Sequence, residues 1–155
     1  MITEYPEKFT GEIKKITIIS TPCFFTEPPA CGVDAEQKLT ISSSGRVNYT
    51  SKSYVHRSIP PFSEGKWRKL NLFHESAQKL LSEMIEPFRK YEIRPYCTDV
   101  GSWYLIAYNT DGKIFKYDGS LYPECFDKAG KISYLVRNMM NMPDLYVFDG
   151  QSGSN

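Results

Sequence analysis

The sequence is poor in most of what announces a catalyst. Histidine occurs twice, at His56 and His74, and cysteine four times, at Cys23, Cys31, Cys97 and Cys125. It has no Gly-rich phosphate loop, dinucleotide fingerprint, His-Glu-x-x-His or Gly-x-Ser-x-Gly elbow. Charge of one sign is missing too: nineteen Lys and Arg stand against eighteen Asp and Glu, a formal +1. That balance argues against a general nucleic-acid coat or a protein held on a membrane by charge. No stretch approaches the roughly 20 apolar residues of a membrane span. The segment Met1–Pro6 shows no basic patch followed by an apolar run. The default expectation is a cytoplasmic chain without a membrane partner.

The cysteines lie eight, sixty-six and twenty-eight positions apart, with no C-x-x-C pair. They are too sparse for a disulfide scaffold, and zinc sites usually take their ligands in close pairs. Neither a metal nor a cofactor is expected. Free thiols are the first reading, and a Cys23–Cys31 bridge across a Pro-rich loop stays open beside it.

What the chain does have is globular composition, 41% hydrophobic and 24% charged over 155 residues. One domain of that length buries roughly 70% of its unfolded surface and needs no staple. Aromatic residues reach 14%, and eleven are tyrosines, the one compositional surplus.

Ile13, Ile16, Ile18 and Ile19 with Thr17 predict a strand over 12–20. Pro22, Pro28 and Pro29 then mark a loop. Leu39 and Ile41, the turn Ser43-Ser44-Gly45, then Val47 and Tyr49 read as a hairpin. Residues 58–65 read as another loop. Ala77, Leu80, Leu81, Met84, Ile85 and Phe88 recur at the spacing of one helical face, with Asn71 as cap and Pro87 as stop or kink. A second hairpin turns at Asn109-Thr110-Asp111-Gly112. Ile132, Leu135, Val136 and Met139 predict a shorter helix begun by Asp127, and Leu145–Phe148 a last buried strand. The expected fold is α+β: a mainly antiparallel sheet built from two hairpins, with two amphipathic helices packed on one face. One domain spans 1–148, and 149–155 form a flexible polar tail.

The order of the Cys/Pro loop, the hairpin Lys38–Tyr49, Cys97-Thr98-Asp99 and the hairpin ending Tyr117-Asp118-Gly119 resembles a class of small bacterial α+β domains of unknown function. The resemblance implies no activity, because none is assigned to that class.

Three chemistries remain to weigh. A thiol nucleophile needs a base and an orienting group, and the candidates are Cys97, Asp99 and either His56 or His74. Against it stands the plain reading of a structural thiol and surface histidines. Asp111 and Asp118 precede glycine and are explained by turns, which leaves Asp99 the acid without such an explanation. The run Lys66-Trp67-Arg68-Lys69 offers a stacking ring among cations, with Lys66, Arg68 and Lys69 as nucleic-acid candidates; a solvated run is its plain alternative. Tyr49, Tyr54, Tyr104, Tyr108 and Tyr117 fall on predicted strands and, with Trp67, are the candidates for a partner-binding face; sheet packing is the plain and first reading of the tyrosines. The leading expectation is a non-catalytic binding or regulatory domain engaging a protein partner. A small hydrolase around Cys97 and Asp99, or nucleic-acid binding through the Lys66–Lys69 run, are the alternatives.

Overall fold

The computed structural model describes residues 6–23, 32–55, 62–91 and 95–150, the side chains of Phe62 and Glu64 excepted. The chain is α+β, with one six-stranded antiparallel sheet and two helices. Strands β1 (Ile13–Thr21), β2 (Asp34–Ser42), β3 (Arg46–Tyr54) and β4 (Phe62–Asn71) form a meander. Helix α1 (His74–Arg89) then carries the chain back to β5 (Ser102–Asn109), which pairs with β1. β6 (Ile114–Ser120) and α2 (Ala129–Met140) follow. The strand order is β4-β3-β2-β1-β5-β6. None of the described helices is long and apolar enough to cross a membrane.

Gly45 is fixed by geometry. Its φ is +100°, and a Cβ there would stand 2.3 Å from the Leu72 carbonyl oxygen. The β2–β3 turn therefore needs glycine both for its left-handed backbone and for the close approach of the chain leaving β4. Helix α1 buries the stripe read from sequence: Ala77, Leu80, Leu81, Met84, Ile85 and Phe88. Its N-cap is Phe73 with no side-chain cap, because Asn71 still belongs to β4. Pro87 does not stop the helix, which runs two residues further to Arg89 and so delivers Phe88 to the core. The Phe88 carbonyl, freed at the helix end, accepts the Phe9 N–H at 2.9 Å.

β4 was not expected, since Phe62–Gly65 read as loop and Lys66–Lys69 as a solvated run. It forms because β3 offers it an edge, with partners from Arg46↔Asn71 to Tyr54↔Phe62. The last predicted strand is absent. Leu145, Val147 and Phe148 are buried as expected, but the segment is a chain of turns, with Val147 at φ +47°. Side chains hold it: the Ser20 hydroxyl donates to the Val147 carbonyl at 2.7 Å, and Gln37 donates to the Asp144 carbonyl and accepts the Tyr146 N–H. Asp149, assigned to the polar tail by sequence, is buried and forms a two-point ion pair with Arg137, both bonds 2.8 Å. One apolar cluster joins alternate strand residues such as Ile16, Ile18, Leu39, Ile41, Val47, Leu105 and Phe115 to the buried positions of both helices.

Candidate functional site

The thiol constellation is not assembled among the described residues. Cys97 and Asp99 precede β5, whose first residue Ser102 pairs with Thr21 at the end of β1. His74 follows β4, whose last residue Asn71 pairs with Arg46, at the end of the sheet where Lys15 lies. The stretch from Lys15 to Thr21 separates these levels, on the order of 20 Å at about 3.3 Å per residue. An imidazole at that distance activates nothing. His56 lies outside the described residues. Asp99 sits in a turn at φ +75°, a left-handed conformation that aspartate tolerates, so turn geometry explains it as well. The Cys97 N–H donates to the Ser120 hydroxyl at 2.9 Å. Cys23, Cys97 and Cys125 are free thiols; Cys31 lies outside the described residues. Burial pushes the Cys125 thiol upward, away from the reactive thiolate. Among the described residues, no cluster of three His, Cys, Asp or Glu side chains is arranged to hold a metal.

The basic run lies on β4, and strand alternation divides it. Trp67 and Lys69 share one face of the sheet with their partners Thr50 and Asn48. Lys66 and Arg68 share the other. There the Lys66 ammonium stands 3.9 Å from the Asp34 carboxylate, and Arg68 reaches the Met140 carbonyl at 3.5 Å. The four residues do not form one patch.

The tyrosines are divided the same way. Tyr49 and Tyr117 point into the core and offer a partner nothing. The Tyr49 hydroxyl donates to the Asp34 carboxylate at 2.9 Å; burial first, then the Asp34 charge, raises its pKa. The Tyr117 hydroxyl donates to the Glu7 carbonyl, and its ring packs 4.6 Å from Phe88. Tyr54 is half-buried at the end of β3, its backbone bonded to Gly32 and Val33. Tyr104 and Tyr108 are half-buried on the face that carries Trp67.

The register builds that face row by row. Trp67, Thr50, Lys38, Ile19, Tyr104 and Asp118 lie side by side across the six strands. The next row is Lys69, Asn48, Thr40, Thr17, Ile106 and Lys116. Ile19 and Ile106, half-buried, form an apolar centre with Tyr104 and Tyr108. The Lys15 ammonium lies 4.3 Å over the Tyr108 ring. Around the centre stand Lys15, Lys38, Arg46, Lys52, Lys69 and Lys116, against Glu36 and Asp118 among the described side chains. Glu36 is taken by Lys52 at 3.6 Å. In a chain with net charge +1, this surface thus carries cations in excess of acids among the described side chains.

The sequence reading did not single out Ile19, Lys38 or Lys116, and it did not bring Lys69 and the other cations together around Tyr104 and Tyr108. Their signal was present in β1, where Lys15, Thr17 and Ile19 take the opposite parity to Ile16 and Ile18. Turning parity into a surface requires the strand order, which local pattern does not contain. No protein-family model matches the sequence, and no curated protein matches it.

Proposed function

We propose that this chain is a non-catalytic binding module whose open sheet face engages an acidic surface of a protein partner. The arrangement behind this reading is an apolar centre of Ile19, Ile106, Tyr104 and Tyr108 with cations around it. That is the anatomy of a protein interface, in which apolar contact supplies affinity and rim charge selects and steers the partner. In this reading the two amphipathic helices close the opposite face and leave this one to the partner. Trp67, 73% exposed, supplies the kind of aromatic anchor that often dominates binding energy. A nucleobase is served less well, since Lys15 already occupies a face of the Tyr108 ring and Tyr104 is half-buried.

The test is capture from an extract of the source cells by the immobilised protein, read by mass spectrometry. A protein held by the wild type and by Lys79→Glu on α1, but lost from Lys38→Glu/Lys116→Glu and at 0.5 M salt, is the expected result. Capture indifferent to the face reversal, or abolished by nuclease, would refute the proposal.

A further inference from the structure

The two edges of the sheet are not alike. At β6 the Tyr91 hydroxyl donates to the Asp118 carbonyl at 3.3 Å, Tyr96 reaches the Asp118 carboxylate, and Cys97 bonds Ser120. β4 is the longer edge strand, ten residues against seven. Among the described residues, no segment from outside the sheet hydrogen-bonds to the backbone of Trp67–Leu70. An open strand edge is a template for one more strand. Its side chains decide which strand. Lys66, Trp67, Arg68 and Lys69 are all exposed. Two copies of β4 laid edge to edge would bring these cations together, and like charges opposite one another are destabilising. The same row attracts carboxylates.

We infer that the outer edge of β4 binds an extended acidic peptide segment by strand addition. This inference rests on the proposed protein partner and adds how it docks. Directly opposed residues share a face of the sheet, so the complementary antiparallel sequence follows from β4 itself. Opposite Lys69 and Arg68 come two acids, opposite Trp67 an apolar residue, and opposite Lys66 a third acid. Main-chain hydrogen bonds supply affinity, and the alternating side chains supply selectivity. Lys66 has its own attraction to Asp34 at 3.9 Å and Arg68 reaches the Met140 carbonyl at 3.5 Å, so Lys69 is the cation most free for the peptide.

The probe is the peptide acetyl-Thr-Glu-Glu-Val-Glu-Thr-amide, titrated into the full chain labelled with nitrogen-15. The expected result is saturable binding, with the largest shifts at Trp67 and its β4 neighbours and slowed exchange of alternate β4 amides. N-methylation of the peptide's central Val and Glu nitrogens weakens binding about tenfold at unchanged side chains, the loss of about 1.4 kcal/mol. Arg68→Glu/Lys69→Glu weakens it about as much. Undetectable binding at millimolar peptide would overturn the inference. Shifts confined to Tyr104, Ile106 and Tyr108, with the N-methylated peptide binding equally, would overturn strand addition and leave face docking standing. Tighter binding of a ten-residue deoxythymidine strand would sink both.

Discussion

One set of strands builds two different surfaces. In β1, Ile16, Ile18 and Ser20 face the core, whereas Lys15, Thr17 and Ile19 face the other way. In β5, Trp103, Leu105 and Ala107 are buried, and Tyr104, Ile106 and Tyr108 only half so. The core side is apolar and its polar groups are bonded apart from Asp34 Oδ1 and Arg137 Nε: the Trp103 indole N–H to the Ser120 carbonyl, Ser133 to Ala129, the Arg137 guanidinium NH groups to Asp149. The other side carries Thr17 bonded to Thr40 and cations in excess of acids. Period-two alternation lets one backbone carry both, so stability and binding can be altered separately. The comparison is open to attack from either side.

The hardest blow falls on the core side. Asp149→Ala leaves the Arg137 guanidinium buried, its Nε already without a hydrogen-bond partner. Breaking such a pair on one side costs about 3–5 kcal/mol. Urea denaturation should show it as a lower midpoint, and an unchanged midpoint would return Asp149 to the tail. Leu81→Ala comes next. Leu81 is fully buried in the α1 stripe, and truncation there costs about 2–5 kcal/mol, read in the same titration.

Smaller and pH-dependent is the polar inset between them. Tyr49→Phe removes one of the two donors to Asp34 Oδ2, the other being Gln37, while Oδ1 has no hydrogen bond. The cost is about 1.5–3 kcal/mol, the scale for a hydrogen bond to a charged group. Burial raises the pKa of Tyr49 and Tyr117 in the folded protein. Folded tyrosines therefore keep protons that unfolded ones lose from about pH 10 upward. Stability is fully present below that pH and falls as pH rises above it. Urea midpoints between pH 8 and 11 should decline, and Tyr49→Phe should flatten part of the decline. A pH-independent midpoint would contradict the burial of these phenols.

How much of this was legible follows from which physics is local. The spacing of the α1 stripe and the left-handed backbone of the turns at Gly45 and Gly112 are local, and the sequence announces them; the approach of Leu72 to Gly45 is not local and was not legible. β4 was hidden because Lys66-Trp67-Arg68-Lys69 has no apolar alternation; it is a strand because β3 accepts it. Leu145–Phe148 was misread for the converse reason. Its apolar run states burial, but bonds from Ser20, Gln37 and Arg137, far away in sequence, decide its shape. On the face proposed for binding, Trp67, Tyr104 and Tyr108 were among the sequence candidates. Their separation from Tyr49 and Tyr117 is parity, and their assembly with Ile19 and Lys38 is strand order.

The gentlest test bears hardest on the difference between the faces. Lys69 lies opposite Asn48, and Arg46 is its diagonal neighbour on β3, within reach of long side chains. Lys69→Glu turns a like-charged diagonal into an attractive one. No buried group changes, so the effect on folding should be a gain of a few tenths of a kcal/mol at low salt, the scale of exposed pairs. Half-molar salt shortens screening below that separation and should erase the gain. Acidic-partner binding should move the other way, falling severalfold at low salt. A variant that is slightly more stable and binds worse marks a surface kept for something other than folding. Equal losses in stability and binding would instead place Lys69 in the support of the fold, and the two faces would no longer be separable.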